Sequence, residues 1–209
     1  NTALGSQSLQ LATTGVGNLA AGYGAMYDHT TGSDNTGLGR NALGNNTTAN
    51  NNTAVGSQAL LANTTGAANI AVGKSALVSN TTAANNVAIG DACLYTNTTG
   101  ASNTAVGKDS LRLNTTGGNN TAVGMDALSK NTTASDNTAV GKNALDAITT
   151  GGSNTAVGEQ SGITTTTGTS NVWIGRLAGN SSTTGVQNIA IGYNARPNNV
   201  NGNNHIILG

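Results

Sequence analysis

The side chains with most to offer acid–base, nucleophilic or metal chemistry are few in this 209-residue chain: two histidines, one cysteine and eight carboxylates. His29 and His205 lie about ten repeat lengths apart in sequence. No Ser-His-Asp or Cys-His constellation can be assembled around them, so nucleophilic catalysis has no support and the chain reads as a non-enzyme. His29 stands in a column that is usually Asn, and His205 replaces a leading Asn, so both read as substitutions within polar ladders. Cys93 falls in a column of Ala and Ser and reads as a small core residue; a lone Cys also excludes an intrachain disulfide framework. Calcium-binding β-rolls use a Gly-Gly-x-Gly-x-Asp nonapeptide, which is absent. Asp109 and Asp126 share a column, but Lys108 neighbours the first, and solvation explains them better than a cation. No metal and no cofactor are expected.

Two further groups invite chemistry. The sequons at Asn46, Asn63, Asn80, Asn97, Asn114 and Asn131 are candidate glycosylation acceptors that would form a regular sugar stripe. The repeat composition also produces them automatically. Trp173 and the isolated Tyr23, Tyr27, Tyr95 and Tyr193 could meet sugar rings or partners. A structural change near the end of the array is the commoner reason for such residues.

The elements that position these residues come from one repeat. Asn1-Thr2-Ala3-Leu4-Gly5 returns every 17 residues, through Asn18, Asn35 and Asn52 to Asn188, and ends as His205-Ile206-Ile207-Leu208-Gly209. Twelve full units and five residues of a thirteenth account for all of it. The unit reads Asn-Thr-Ala-Val-Gly-x-x-Ala-Leu-x-x-Asn-Thr-Thr-Gly-x-x. Position five is Gly in all thirteen copies, among them Gly56, Gly73, Gly90 and Gly107, which points to positive φ or close backbone approach. Position four is always aliphatic, as in Val55, Val72, Ile89, Val106, Val123 and Val140. Position nine is Leu or Met in nine of twelve units, as in Leu60, Leu77, Leu94 and Leu111. Positions two, four, eight and nine are assigned to the interior, and the Thr-Thr-Gly run to a turn.

A unit of 17 residues is too short for the helix pairs of helical arrays, which take roughly 33 to 47. The fold class expected is all-β: a parallel β-solenoid of about twelve coils, with two short strands and two tight turns per coil. Stacked Asn and Thr columns should form hydrogen-bonded ladders along its axis. Residues 1–161 are regular; residues 162–209 are degenerate repeats of the same solenoid, where Gly162, Gly179 and Arg196 replace Leu, Pro197 follows, and a transition to another segment is expected.

Composition excludes several classes. Charged residues make up 8 %, against roughly 25 % in ordinary soluble domains. The formal charge is zero with no basic run, so nucleic acid is not an expected partner. No apolar stretch approaches the roughly 18 residues of a membrane span. The chain begins in mid-array and reads as a window on a longer protein. Its thin core predicts further burial between chains. Position three is Ala in ten of thirteen copies and is expected to point outward, suiting close contact in a homotrimer or fibre.

The strings Asn86-Val87-Ala88-Ile89-Gly90 and Asn188-Ile189-Ala190-Ile191-Gly192 resemble head repeats of trimeric autotransporter adhesins. The fuller unit with its Asn-Thr-Thr-Gly is similar to phage tail-fibre and related viral fibre repeats. The likeness covers the full chain. It implies a left-handed β-roll, trimeric, extracellular, on a virion or bacterial surface. There it extends a binding tip towards a cell-surface glycan or receptor through regions outside this window. The longer 17-residue unit departs from the adhesin pattern and leaves the cross-section open. The function expected is a fibre shaft. The alternatives are an adhesin or filament whose array itself binds glycan or matrix and, third, an ice-binding solenoid. The adjacent pair Thr13-Thr14 speaks against the last, because adjacent strand residues alternate faces.

Overall fold

The computed structural model describes residues 1–196 and 201–209, so Pro197 lies outside the described residues. Thirteen strands of three residues each, β1 (Thr2–Leu4) to β13 (Ile206–Leu208), form one parallel sheet in sequential order. Each strand pairs with residues 17 positions away, as in Thr53↔Ile70, Ala54↔Ala71 and Val55↔Val72. The chain is therefore a β-solenoid of about twelve turns. At about 4.8 Å per strand the sheet is about 58 Å long. Among the described residues no helix is long and apolar enough to cross a membrane.

Local chemistry explains why each strand stops after three residues. The position-five glycines leave the strand at φ near +133°, as at Gly56, with +138°, +142° and +134° at Gly73, Gly90 and Gly107. Side chains are excluded there by contact as well as by torsion. A Cβ on Gly56 would stand 2.5 Å from the Gly73 carbonyl oxygen of the next coil. A turn follows, closed by Ala59 N–H donating to Gly56 O at 3.3 Å. A second is closed by Asn63 N–H donating to Leu60 O at 3.3 Å. Left-handed residues at positions seven and nine, such as Gln58 (φ 61°) and Leu60 (φ 54°), give the bends their sharpness. A third corner is closed by a side chain: Asn63 Nδ2 donates to Gly66 O at 2.9 Å.

One strand per coil is found where two were expected. The rest of each coil still stacks through backbone hydrogen bonds. Leu60 N–H donates to Ala76 O (2.9 Å), Ala62 N–H to Val78 O (3.0 Å) and Thr64 N–H to Thr81 O (2.9 Å). Left-handed residues break the extended geometry a second strand would need, while leaving its hydrogen-bond ladder in place.

The interior differs from expectation in a second way. The two faces of the strand are reversed. Position three is the buried one: Ala54, Ala71, Ala88, Ala105, Ala122 and Ala139 have no exposed surface. Val55, Val72 and Val106 are half-buried and Ile89, Val123 and Val140 are exposed, so these six are not core-ladder residues. Leu60, Leu77, Leu94 and Leu111 are fully buried, as are position eight (Ala59, Ala76, Cys93, Ser110) and most of the Asn residues. The physical reason is room. A coil of 17 residues encloses space for one leucine, and only a methyl group fits on the wall opposite it. The alanine column therefore marks the inside, and the β-branched columns are displaced to the surface. The expected close contact between chains through outward alanines is removed with it.

Candidate functional site: the strand face and the polar seam

Each candidate side chain takes its place from its column. His29 is buried, with Nε2 2.8 Å from Gly32 O and Nδ1 3.1 Å from Asn46 Nδ2. A carbonyl can only accept, so Nε2 carries the proton and Nδ1 accepts from the amide. His205 sits at the far end of the sheet, its backbone N–H donating to Asn188 Oδ1 at 3.0 Å. The two never meet. Cys93 is buried, its Sγ 3.2 Å from Ala105 O and 3.0 Å from Ser110 Oγ. Loss of water pushes its thiol up to about 11, the nearby Ser110 hydroxyl opposing in part. It is a packing residue with little thiolate.

Among the described residues no three His, Cys, Asp or Glu side chains cluster as a metal site would need. Three of the eight carboxylates pair with basic neighbours instead. Asp109 lies 3.3 Å from Arg112 and 3.8 Å from Lys108. Asp146 takes Lys130 at 2.7 Å together with the Ser129 hydroxyl. Glu159 takes Arg176 at 3.0 Å, and that guanidinium also stands 5.7 Å from the Tyr193 ring centre. These are surface pairs of small energetic weight.

The sequon asparagines require correction. Asn46, Asn63, Asn80, Asn97, Asn114 and Asn131 are all fully buried. Asn63 Nδ2 donates to Asn46 Oδ1 (2.8 Å) and to Gly66 O (2.9 Å), and Asn80, Asn97, Asn114 and Asn131 repeat the pattern one coil apart. Both amide hydrogens are used, and no space adjoins the nitrogen for a sugar. The folded coil cannot carry the stripe.

The leading asparagines form a second ladder. Asn69 accepts nothing from solvent: its backbone N–H and Nδ2 both donate to Asn52 Oδ1, at 2.9 and 3.2 Å, and Nδ2 also reaches Ala83 O at 2.9 Å. The Ala83 carbonyl simultaneously accepts from Asn80 Nδ2 at 3.0 Å. The two ladders share an acceptor in the same way at Ala49, Gly66, Gly117 and Ala134, and there they make one buried polar seam; Asn86 Nδ2 is the exception, buried without a partner. Threonine adds a third row outside, with Thr64 Oγ1 donating to Thr81 O at 3.1 Å. Ladders were legible in the sequence; their burial was not. The usable signal is the near-invariance of Asn in the leading column and its unbroken run from Asn46 to Asn131 in the other, because a solvent-facing column tolerates any polar residue.

The remaining feature is the outer strand face. Thr, Val, Ile and Leu, with Ala21, line it at positions two and four without one charged residue. Among the described residues it carries eleven of the eighteen exposed large apolar side chains, including Ile70, Ile89, Val123, Val157 and Ile191. They lie in two adjacent columns, most densely from β8 (Thr121–Val123) to β13.

No protein-family model, curated protein or solved structure matches the chain. Its sheet, seam and outer face therefore stand on their own chemistry. Among the described residues nothing in them assembles a nucleophile with a base, and what they offer is length and one uncharged strip of aliphatic and threonine side chains.

Proposed function

We propose that the chain is a fibre shaft, extracellular and not an enzyme, whose outer strand face packs against identical copies in a homotrimer. The observation that carries this is the uncharged strip at positions two and four, continuous along a sheet about 58 Å long. Exposed apolar patches of more than a few hundred Å² mark interaction sites, and a strip of this length belongs with them. Copies related by rotation about the rod axis bury the same columns on each other, and such an interface closes on itself. The resemblance of the repeat to trimeric adhesin heads and viral fibres supports the left-handed sense and the threefold number. The role is to hold a receptor-binding region away from a virion or bacterial surface.

Sedimentation equilibrium tests it. A shaft gives three times the chain mass of 20.5 kDa, and Val123→Lys with Val140→Lys returns it to one. A clean monomer at high concentration defeats the reading. Deleting two whole repeats should shorten the rod by about 10 Å and leave assembly intact.

One observation favours a second reading. Thr53 and Val55 project outward one residue apart, and Thr104/Val106, Thr121/Val123 and Thr138/Val140 repeat the spacing in three successive coils. A flat face of that kind, left in water, can template ice. Thermal hysteresis from a monomeric chain supports ice binding; a trimer without hysteresis supports the shaft.

A further inference from the structure

Two glycines interrupt the surface near the first coils. Position seven carries Gln7, Gly24 and Asn41 in successive coils, and position ten carries Tyr27, Gly44 and Leu61. Where the neighbouring coils present a side chain, Gly24 and Gly44 present backbone. The gap between them is a cavity of about 360 Å³. Tyr23, 55 % exposed, and the half-buried Tyr27 stand on its walls, with Leu61 opposite and the amides of Gln7, Asn41 and Asn45 around it.

We propose that this hollow binds a neutral pyranose unit, free or at the terminus of a glycan. Its size falls at the lower end of the roughly 300–1,000 Å³ of small-ligand sites, which suits one or two rings. Its lining contains no charged residue, so an ionic ligand would enter uncompensated. Tyrosine offers a flat apolar face to the C–H side of a sugar ring and a hydroxyl to its rim. Each of the three amides can donate and accept, matching hydroxyl groups that do both. None of these three side chains is engaged elsewhere among the described residues, so the hydrogen-bonding capacity is free for a ligand. The site lies away from positions two and four, and the inference does not depend on the shaft reading.

The array supplies its own control. Position ten carries Val78 and Tyr95 in later coils, so the backbone there tolerates bulk. Gly44→Val fills the hollow, the first atom met being the movable Leu61 Cδ1 at 2.8 Å. The test is saturation-transfer NMR on the full chain with methyl glycopyranosides of glucose, galactose and N-acetylglucosamine, with glycerol as the polyol control. The expected result is transfer to at least one pyranoside and none to glycerol. Gly44→Val and Tyr23→Ala should each weaken binding at least tenfold, with the far-ultraviolet circular dichroism and melting curve unchanged. An oligosaccharide ending in the same unit that binds with equal affinity assigns the site to the single ring; tighter binding assigns it to a glycan terminus. No transfer from any pyranoside, equal transfer to glycerol, or undiminished binding in both folded variants overturns the proposal.

Discussion

From Leu43 to Leu145 each coil fills its interior in one way, with a position-nine leucine facing a position-three alanine. The coils around β11 (Val172–Ile174) do it in another. There the leucines become Gly162 and Gly179, and Trp173 replaces the alanine. Trp173 is fully buried, and a Cβ on either glycine would collide with its indole. One large ring on the strand wall thus occupies the space of two leucines from the opposite wall. Met26 and Gly37 show the same exchange on a smaller scale: a Cβ on Gly37 would stand 3.2 Å from Met26 Cε. Interior volume is thus kept while the residues supplying it change. The strand register passes through unchanged, Ala156 pairing with Trp173 and Trp173 with Ala190. Residues 162–196 are therefore coils of the same solenoid, in register with the regular ones.

The polar seam divides along the same line. The inner ladder that includes Asn63 stops at Asn131, whose Oδ1 has no partner because Ile148 follows it, then Thr165 and Ser182. The ladder of leading asparagines continues unbroken to His205. The first is replaceable by packing; the second holds the start of every strand.

The largest effect is expected from Trp173→Ala. It should cost about 4 kcal/mol in urea unfolding, through the cavity it leaves. Adding Gly162→Leu and Gly179→Leu to that variant should recover most of the loss, because it rebuilds the regular coil; no recovery would show that volume is not what is conserved. Gly107→Ala should cost about 3 kcal/mol, since strained torsion and a backbone collision 2.5 Å away act together. Asn103→Ala, in the continuous ladder, should cost about 2 kcal/mol by leaving buried partners unpaired. Asn131→Val, at the end of the interrupted ladder, should cost about 1 kcal/mol less than that, and equal losses would refute the distinction between ladders. The smallest effect belongs to Cys93. Its thiol lies above its unfolded value of 9.0 at about 11, so the contribution is complete below pH 9 and fades as pH rises towards 11. Iodoacetamide at pH 8 should leave Cys93 unmodified in the folded chain and label it in urea.

The repeat length, the parallel register, the glycine column and the leucines at position nine were all legible in the residues. Each follows from one local rule: an invariant glycine needs special backbone, and a buried leucine recurs with the coil. Which strand face points inward was not legible. Parity puts Thr53 and Val55 together and Ala54 opposite, but hydrophobicity then favours the wrong face, because the enclosed volume is a property of the closed coil and not of the strand. The asparagines were missed as core for a related reason. Their burial depends on acceptors such as the Ala83 carbonyl, which arrive only when the third corner closes. The hollow beside Tyr23 was hidden because it arises from glycines in two different columns, adjacent only after stacking.

The hydrogen bonds between coils all run along the long axis of the rod. Tension applied at its ends therefore opens them coil by coil instead of shearing many at once. Each coil that lets go releases 17 residues, about 58 Å of chain at ~3.4 Å per residue, in place of the about 4.8 Å it occupied. A single chain pulled lengthwise should yield as a series of equal steps of about 50 Å, resolved in an optical trap. Lateral packing through the outer strand face would raise the force of every step without changing its size. Such a rod is stiff when pushed and extensible when pulled, and it absorbs work in small equal amounts.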